Sequence, residues 1–348
     1  MKVLVLGGSG YIGSRLCQML QATGWAIPIS ASSRAPLSVP GHLRLDTRDE
    51  PALTRALQEA DAVVNCVAGS AAAIAEGAAV LARAVVAADF PRLVHFSSMA
   101  VYGDREGLLA EQAAAGAAQG WYARAKCDSE RHIATVAAAG GSATVLRPGC
   151  VWGPGSHLWV GRIARWLAAG RLGDLGEDGD GWSNLVHVDD VCSAVVAALR
   201  KPVPAGQVRT LNLAGPDSPR WNDYFADVAL AIGAEPMRRM RRQQMRADAY
   251  LAGPPLHVIR RVLGRLGRPV AALPDPLTPG LLGLWQRQQK LDATAAEQVL
   301  GLRWTPYATG LRQSMAWLLT DDSLPLRRRP VLLGGDRSGP RRHGRVGF

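Results

Sequence analysis

Apolar and polar positions divide the chain into short segments closed by glycine or proline. Lys2–Leu6 is a β-branched and leucine run that ends in glycines, and it reads as a strand. Helical spacing follows over Gly13–Thr23 and stops at Gly24. The next apolar run, Trp25–Ile29, contains Pro28, which is awkward in an interior strand because it removes a ladder donor. Helix is predicted over about Pro51–Glu59, strand over Ala60–Val67, helix over Ala71–Ala88 and strand over Arg92–Phe96. Trp121–Ala139 then reads as helix and Ala143–Leu146 as strand. Strands alternating with helices imply a parallel sheet with crossover helices on both faces. The expected fold is therefore α/β, a Rossmann-type doubly wound parallel sheet.

The alternation breaks after Pro148. Gly153–Gly181 is rich in Gly, Trp and Arg, Gln207–Ala214 reads as one returning strand, and the chain is irregular from Pro216 onward. These shifts divide the 348 residues into a nucleotide-binding domain (1–152 plus about 184–215), a smaller substrate domain (about 153–183 plus 216–321) and a tail (322–348). No internal repeat of fixed period is found.

Composition narrows the class. A hydrophobic share of 48% belongs to a globular protein with a core. The five cysteines are scattered, odd in number and without a CxxC pair, which speaks against a disulfide framework or structural zinc and for a reducing, cytoplasmic setting. Lys2 before a short apolar run resembles a signal peptide only superficially, since glycines interrupt it at once. No stretch reaches the roughly 18 consecutive apolar residues of a membrane span, and no membrane partner is expected. Of the formal charge of +11, much sits after Ser323, where seven arginines face Asp336 in a Gly/Pro-rich segment expected to be disordered. Arg238, Arg239, Arg241, Arg242 and Arg246 form a second basic cluster. Neither cluster carries interleaved aromatics, so a solvated surface is favoured over nucleic-acid binding.

Two constellations carry chemistry. Gly7, Gly10 and Gly13 stand at GxxGxxG spacing, directly after a strand and opening a helix. In that context glycines permit a tight turn, close approach to a pyrophosphate and close helix–sheet packing, while the helix N-terminus supplies oriented N–H groups. At the end of the second strand, where an NAD enzyme places an acid, the chain has Ala31-Ser32-Ser33-Arg34. Two hydroxyls and a guanidinium suit a 2′-phosphate, so NADP is preferred over NAD. Asp46 is a candidate acceptor for the adenine amine. The second constellation is Tyr122 and Lys126, four apart on one helix face. A nearby ammonium favours phenolate, which brings tyrosine into use as acid or base. Upstream, Ser97 and Ser98 end a strand at the sheet edge where ligands bind in open α/β sheets.

With these segments, and with Val64-Asn-Cys-Val-Ala-Gly69, Leu146-Arg-Pro-Gly-Cys-Val-Trp-Gly-Pro154, Leu185-Val-His-Val-Asp-Asp-Val191 and Leu211-Asn-Leu-Ala-Gly215, the chain resembles the extended short-chain dehydrogenase/reductases, the NAD-dependent epimerase/dehydratase family. The resemblance runs from Lys2 to about Leu319, and residues 1–24 are most similar to UDP-galactose epimerases. It implies Tyr122 as catalytic acid/base, Lys126 as the residue that tunes it and holds cofactor, and Ser98 as the group polarising the substrate oxygen. It adds Tyr11, Ile12 and Ala68 to the cofactor contacts, and Asp189 or Asp190 as cap of a helix beside the site. His187 with these acids is read as structural, and no metal is expected.

Departures matter as much. The Asp-Glu pair of the family's sugar dehydratases is Met99-Ala100 here, which removes the proton donor for dehydration. Cys150 and Ser183 stand where nucleotide-sugar enzymes place an Asn and an Arg near the diphosphate, with Arg162, Arg165 or Arg171 as substitutes. Cys150 and Arg162 join Ser98 as candidate substrate contacts. Three functions stay open: epimerase or ketoreductase of a nucleotide-activated sugar, NADPH-dependent reductase of a non-nucleotide carbonyl compound, and non-catalytic NADP-binding regulator. A small-molecule substrate and a homodimer are the partners considered.

Overall fold

In a computed structural model the described residues are 1–33, 41–113, 116–117, 120–265 and 274–320. The first half alternates β1 (Lys2–Leu6), α1 (Tyr11–Ala22), β2 (Ile27–Ser32), β3 (Leu43–Arg44), α2 (Glu50–Gln58), β4 (Ala62–Asn65), α3 (Ala71–Ala87) and β5 (Arg92–Phe96). After β6 (Gly107–Leu109) come α4 (Gly120–Ala138), β7 (Ala143–Pro148), β8 (Cys150–Trp152), α5 (Arg162–Ala168), β9 (Leu185–His187), α6 (Val188–Arg200) and β10 (Val208–Leu213). The remainder is α7 (Trp221–Ala231), α8 (Arg242–Ala247), α9 (Gly253–Arg265), α10 (Pro279–Gln286), β11 (Gln289–Leu291), α11 (Thr294–Leu300) and α12 (Tyr307–Thr320).

Seven parallel strands form the main sheet in the order β10-β7-β5-β4-β1-β2-β3. The strand order reverses between β1 and β4, and that crevice is where ligands bind in doubly wound sheets. The expected Rossmann-type fold is the observed one. Two apolar clusters cover the sheet: α1 and α6 pack on one face, α2 and α3 on the other. A third, rich in tryptophan, gathers α5, α7, α10 and α12 over the strand ends.

Two readings of the pattern change. The second strand is Ile27–Ser32 rather than Trp25–Ile29, and it retains Pro28. Proline is accommodated because β3 pairs only with Ala31 and Ser32, so Pro28 lies along an open edge of β2. Helix α1 starts at Tyr11, two residues before the expected start at Gly13, because the third glycine sits inside the first turn. Packing also crosses the anticipated domain boundary: Ala296, Leu300, Leu302 and Trp304 join the cluster of α1 and α6. The tail expectation for 322–348 lies outside the described residues, as does Arg34.

Candidate active site

The glycine loop leaves β1 at the switch point. Gly7 has φ +76°, and a Cβ there would lie 3.0 Å from the Cys66 carbonyl, so any side chain is strained. A Cβ on Gly13 would sit 2.3 Å from the Gly7 carbonyl oxygen, which forces the closest helix–loop contact in the turn. Gly10 caps α1 without a side chain, and the first turn carries no acid. Its N–H groups therefore remain free for an anion. The Tyr11 ring packs against Gly155, its hydroxyl is buried beside Ser156, and desolvation pushes its pKa up. Ile12 packs into the α1–α6 cluster.

Beside the loop, Ser9 donates to Ser32 at 3.0 Å, and His42 bridges Ser30 and Ser32 at 2.9 Å each. Sequence reasoning gave His42 no role; its ring stands at the end of β2 where a ribose 2′ substituent is read. Ser33 is exposed and adjoins the undescribed segment that contains Arg34. Asp46 accepts from the Arg48 side chain and backbone at 2.9–3.2 Å, which lowers its pKa. Ala68 lies in the β4–α3 turn.

The second constellation comes together. Ser98 lies two residues beyond β5 at the head of a 3-10 turn, is 9% exposed, and accepts from the Ala100 N–H at 3.2 Å, which leaves its own proton free to donate. Tyr122 opens α4 at the surface of the cleft, 36% exposed, with Trp121 edge-on to it. Desolvation of the phenol raises its pKa, and a hydrogen bond with Ser98 lowers it. One turn further Lys126 is 3% exposed and donates to the Phe96 carbonyl at 2.6 Å. Burial lowers the ammonium pKa to about 8, against pulls upward from Cys66 and Glu130.

A chain of hydrogen bonds that the sequence did not reveal holds this helix to the sheet. Asn65 donates to His95 Nδ1 at 3.1 Å, so Nε2 carries the proton and donates to Ser129 Oγ at 3.1 Å. Ser129 in turn donates to the Lys126 carbonyl at 2.8 Å. Burial and the Lys126 charge hold the His95 pKa well below its usual value. Next to it, Arg147 grips Glu130 with two bonds of 2.7 and 2.8 Å and also donates to Tyr102 and the Glu111 carbonyl.

The candidate substrate contacts differ in character. Cys150 is 2% exposed inside the tryptophan-rich cluster, and burial raises its thiol pKa. It is close enough to perturb both Tyr122 and Arg162. Arg162 lies 4.9 Å over Trp166 and 5.9 Å from Trp159, its Nε has no partner among the described residues, and desolvation lowers its pKa to about 10. Arg165 and Arg171 are taken by Asp275 and Asp248. Met99 is buried in the same cluster as Cys150. Ser183 is fully buried and bonded to Ser218 and the Pro219 carbonyl.

The capping expectation for Asp189 or Asp190 is corrected. His187 caps α6 by accepting from the Asp189 N–H, Asp189 pairs with Arg15, and Asp190 holds Thr305 through its backbone and hydroxyl. Both acids occupy the first turn, where the helix dipole favours negative charge. Among the described residues no cluster of three or more His, Cys, Asp or Glu side chains is placed to hold a metal ion.

A doubly wound parallel sheet with this glycine loop at its switch point defines a dinucleotide-binding α/β protein. Comparison with known proteins sharpens the class. The profile of the NAD dependent epimerase/dehydratase family matches residues 3–214, and the chain belongs to that family. Protein YeeZ of Escherichia coli (strain K12) is 28% identical over 250 residues, 68% of this chain and 86% of that protein. The 2-alkyl-3-oxoalkanoate reductase of Stenotrophomonas maltophilia (strain K279a) is 30% identical, over 59% of this chain and 67% of that one. The UDP-glucose 4-epimerase of Thermotoga maritima, solved with UDP-glucose, superposes with a TM-score of 0.69 at 20% identity, covering 92% of this chain and 99% of that one. The protein is thus an NAD(P)-dependent enzyme of the extended short-chain dehydrogenase/reductase type. No helix among the described residues is long and apolar enough to cross a membrane.

Proposed function

We propose that the protein is an NADPH-dependent reductase of a carbonyl compound that carries no nucleotide diphosphate. The observation that supports this most is the state of Cys150 and Ser183. One is a thiol sealed in an apolar cluster and the other a hydroxyl already satisfied by Ser218 and Pro219. Neither offers a diphosphate a charge or a free donor. Reductase relatives at about 30% identity point the same way. The residues fit the cofactor: Gly7 and Gly13 tolerate no Cβ, the α1 N-terminus is open to phosphates, and Ser32, Ser33 and His42 present no acid to a 2′-phosphate.

In this reading Tyr122 delivers a proton to the carbonyl oxygen, and Ser98 donates a hydrogen bond to the same oxygen as charge develops there. Lys126, held by Phe96, stabilises phenolate and the nicotinamide ribose. Reduced nicotinamide, when bound, supplies the hydride. Met99, buried where a dehydratase carries its acid, leaves water elimination without a proton donor.

Epimerisation or keto-reduction of a nucleotide-activated sugar is the second reading, favoured by one observation. Arg162 is a desolvated guanidinium with a spare donor beside Cys150, suited to a phosphate or carboxylate. Thermal shift with NADPH plus either UDP-sugars or apolar oxo compounds separates the two, followed by NADPH consumption with the compounds that stabilise. Stabilisation by UDP-sugars alone refutes the first reading.

A further inference from the structure

From Arg242 to Arg265 the chain is one uninterrupted helical run: α8, a π turn at Asp248–Ala252, and α9. Met245, Ala249 and Gly253 form its buried side, and a Cβ on Gly253 would meet the Leu277 carbonyl at 2.3 Å. Leu256, Arg260 and Leu263 continue that side half-buried, and Arg260 reaches Asp275 at 3.4 Å. A helix seated on a protein in this way ordinarily turns polar side chains outward. Here much of the outward side beyond Arg246 is apolar, although His257 is exposed there too. Tyr250, Leu251, Val258, Ile259 and Val262 are between 44% and 76% exposed. Leu251, Val258 and Val262 follow one another at helical spacing, with Ile259 beside them. Exposed apolar residues standing singly are ordinary, but a contiguous group on one helix marks a contact surface.

The charge around this group selects what covers it. Residues 238–265 hold eight arginines against a single acid, Asp248, and Arg171 already engages that acid. Arg238, Arg241 and Arg246 are exposed and make no ion pair among the described residues. A second copy would bring the same cationic rim into contact with itself, which opposes association. The segment after Ser323 is also strongly cationic and repelled alike. Nucleic acid matches the charge, but its bases are read by aromatic and polar side chains, and aliphatic ones give phosphates nothing. An anionic bilayer meets both demands: aliphatic side chains enter the headgroup–acyl boundary while guanidinium groups pair with lipid phosphates.

We propose that the helical run 242–265 is an interfacial anchor that seats the protein on membranes containing anionic phospholipid. This contact is peripheral and needs no spanning segment. It is independent of which carbonyl compound the cleft accepts.

The test is sedimentation of the full chain with vesicles of phosphatidylcholine alone or of phosphatidylcholine mixed with phosphatidylglycerol. Binding is expected only to the anionic vesicles, weakened by salt through screening. The double variant Val258→Glu/Ile259→Glu should lower partitioning about tenfold or more, with circular dichroism and cofactor affinity unchanged. Arg241→Ala/Arg246→Ala should lower it several-fold. Equal binding to both vesicle types, binding to neither, or undiminished binding of the glutamate variant overturns the proposal. Analytical ultracentrifugation that shows a dimer dissolved by Val258→Glu/Ile259→Glu would overturn it too and assign the surface to a second copy. Binding of an RNA duplex that the glutamate variant retains, without vesicle binding, would assign the arginines to nucleic acid.

Discussion

Replacing Lys126 with methionine separates what the ammonium does for chemistry from what its burial does to stability. Methionine is unbranched and one atom shorter than lysine, and it removes the charge and the 2.6 Å bond to the Phe96 carbonyl. The folded-state pKa of about 8, against an ordinary value of 10.5, means that the fold binds this proton less well than the unfolded chain does. Between those two pH values the unfolded state holds the proton and the folded state does not, so stability rises with pH across the window. Below about pH 8 the whole penalty is present, on the order of 3 kcal/mol. Lys126→Met abolishes that penalty and forfeits a buried hydrogen bond worth about 1–3 kcal/mol. The variant should therefore be as stable as the parent at pH 7 or up to ~2 kcal/mol more stable, while turnover and cofactor affinity collapse. Its advantage should shrink by about 3 kcal/mol as pH rises toward 10.5, roughly 2 °C of melting temperature per kcal/mol at this size. Paired thermal melts of parent and variant in steps across that range measure the difference directly. A difference that does not change with pH would refute the buried, depressed ammonium; a variant with parental turnover would remove Lys126 from the chemistry.

Tyr122→Phe keeps the ring but removes the proton, so turnover should fall about 10²–10⁴-fold with cofactor binding intact, and Ser98→Ala should lower kcat more than it raises KM. Undiminished rates in steady-state kinetics of Tyr122→Phe would falsify the proton-transfer role. Glu130→Ala leaves the largely buried Arg147 guanidinium without its bidentate partner and should cost about 3–5 kcal/mol in urea denaturation; a loss below ~1 kcal/mol would show that solvent compensates. His95 stays neutral in the fold, so stability that is full above its unfolded value of 6.5 should be lost as pH falls below it, and His95→Leu should lack this acid limb in melts from pH 7 to 5. Arg34→Ala should weaken NADPH by about 1.5–3 kcal/mol and leave NADH unaffected by calorimetry; equal affinity of the parent for the two cofactors would sink the 2′-phosphate assignment.

The parts of the fold that a reader of the sequence obtains are those whose cause is local. Lys2–Leu6, the glycines at 7, 10 and 13, and the Tyr122–Lys126 spacing each follow from a strand, a turn or a helix period within a dozen residues. Pro28 misled because its tolerance depends on β3 being only two residues long, a property of a different segment. The capping of α6 misled for a related reason. Asp189 is recruited by Arg15 and Asp190 by Thr305, across 174 and 115 residues, which left His187 to accept from the helix.

The same limit explains why the chemistry was legible before its support. The tyrosine and lysine proposed for the chemistry lie on one face of one helix, and that placement prints itself as a spacing of four. What holds them still carries no such requirement. Asn65, His95 and Ser129 come from β4, β5 and α4 and meet only once those elements are stacked. Tyr102, Arg147 and Asn212 likewise gather from a 3-10 turn, β7 and β10. Each of these polar groups is buried, so each must find a partner, and the partner can come from anywhere the fold brings near. Supporting residues of this kind leave no period in the sequence, yet Ser129 ties back to the Lys126 carbonyl and holds that turn of α4 against the sheet. Burial in that setting is what gives an otherwise ordinary lysine a pKa near 8.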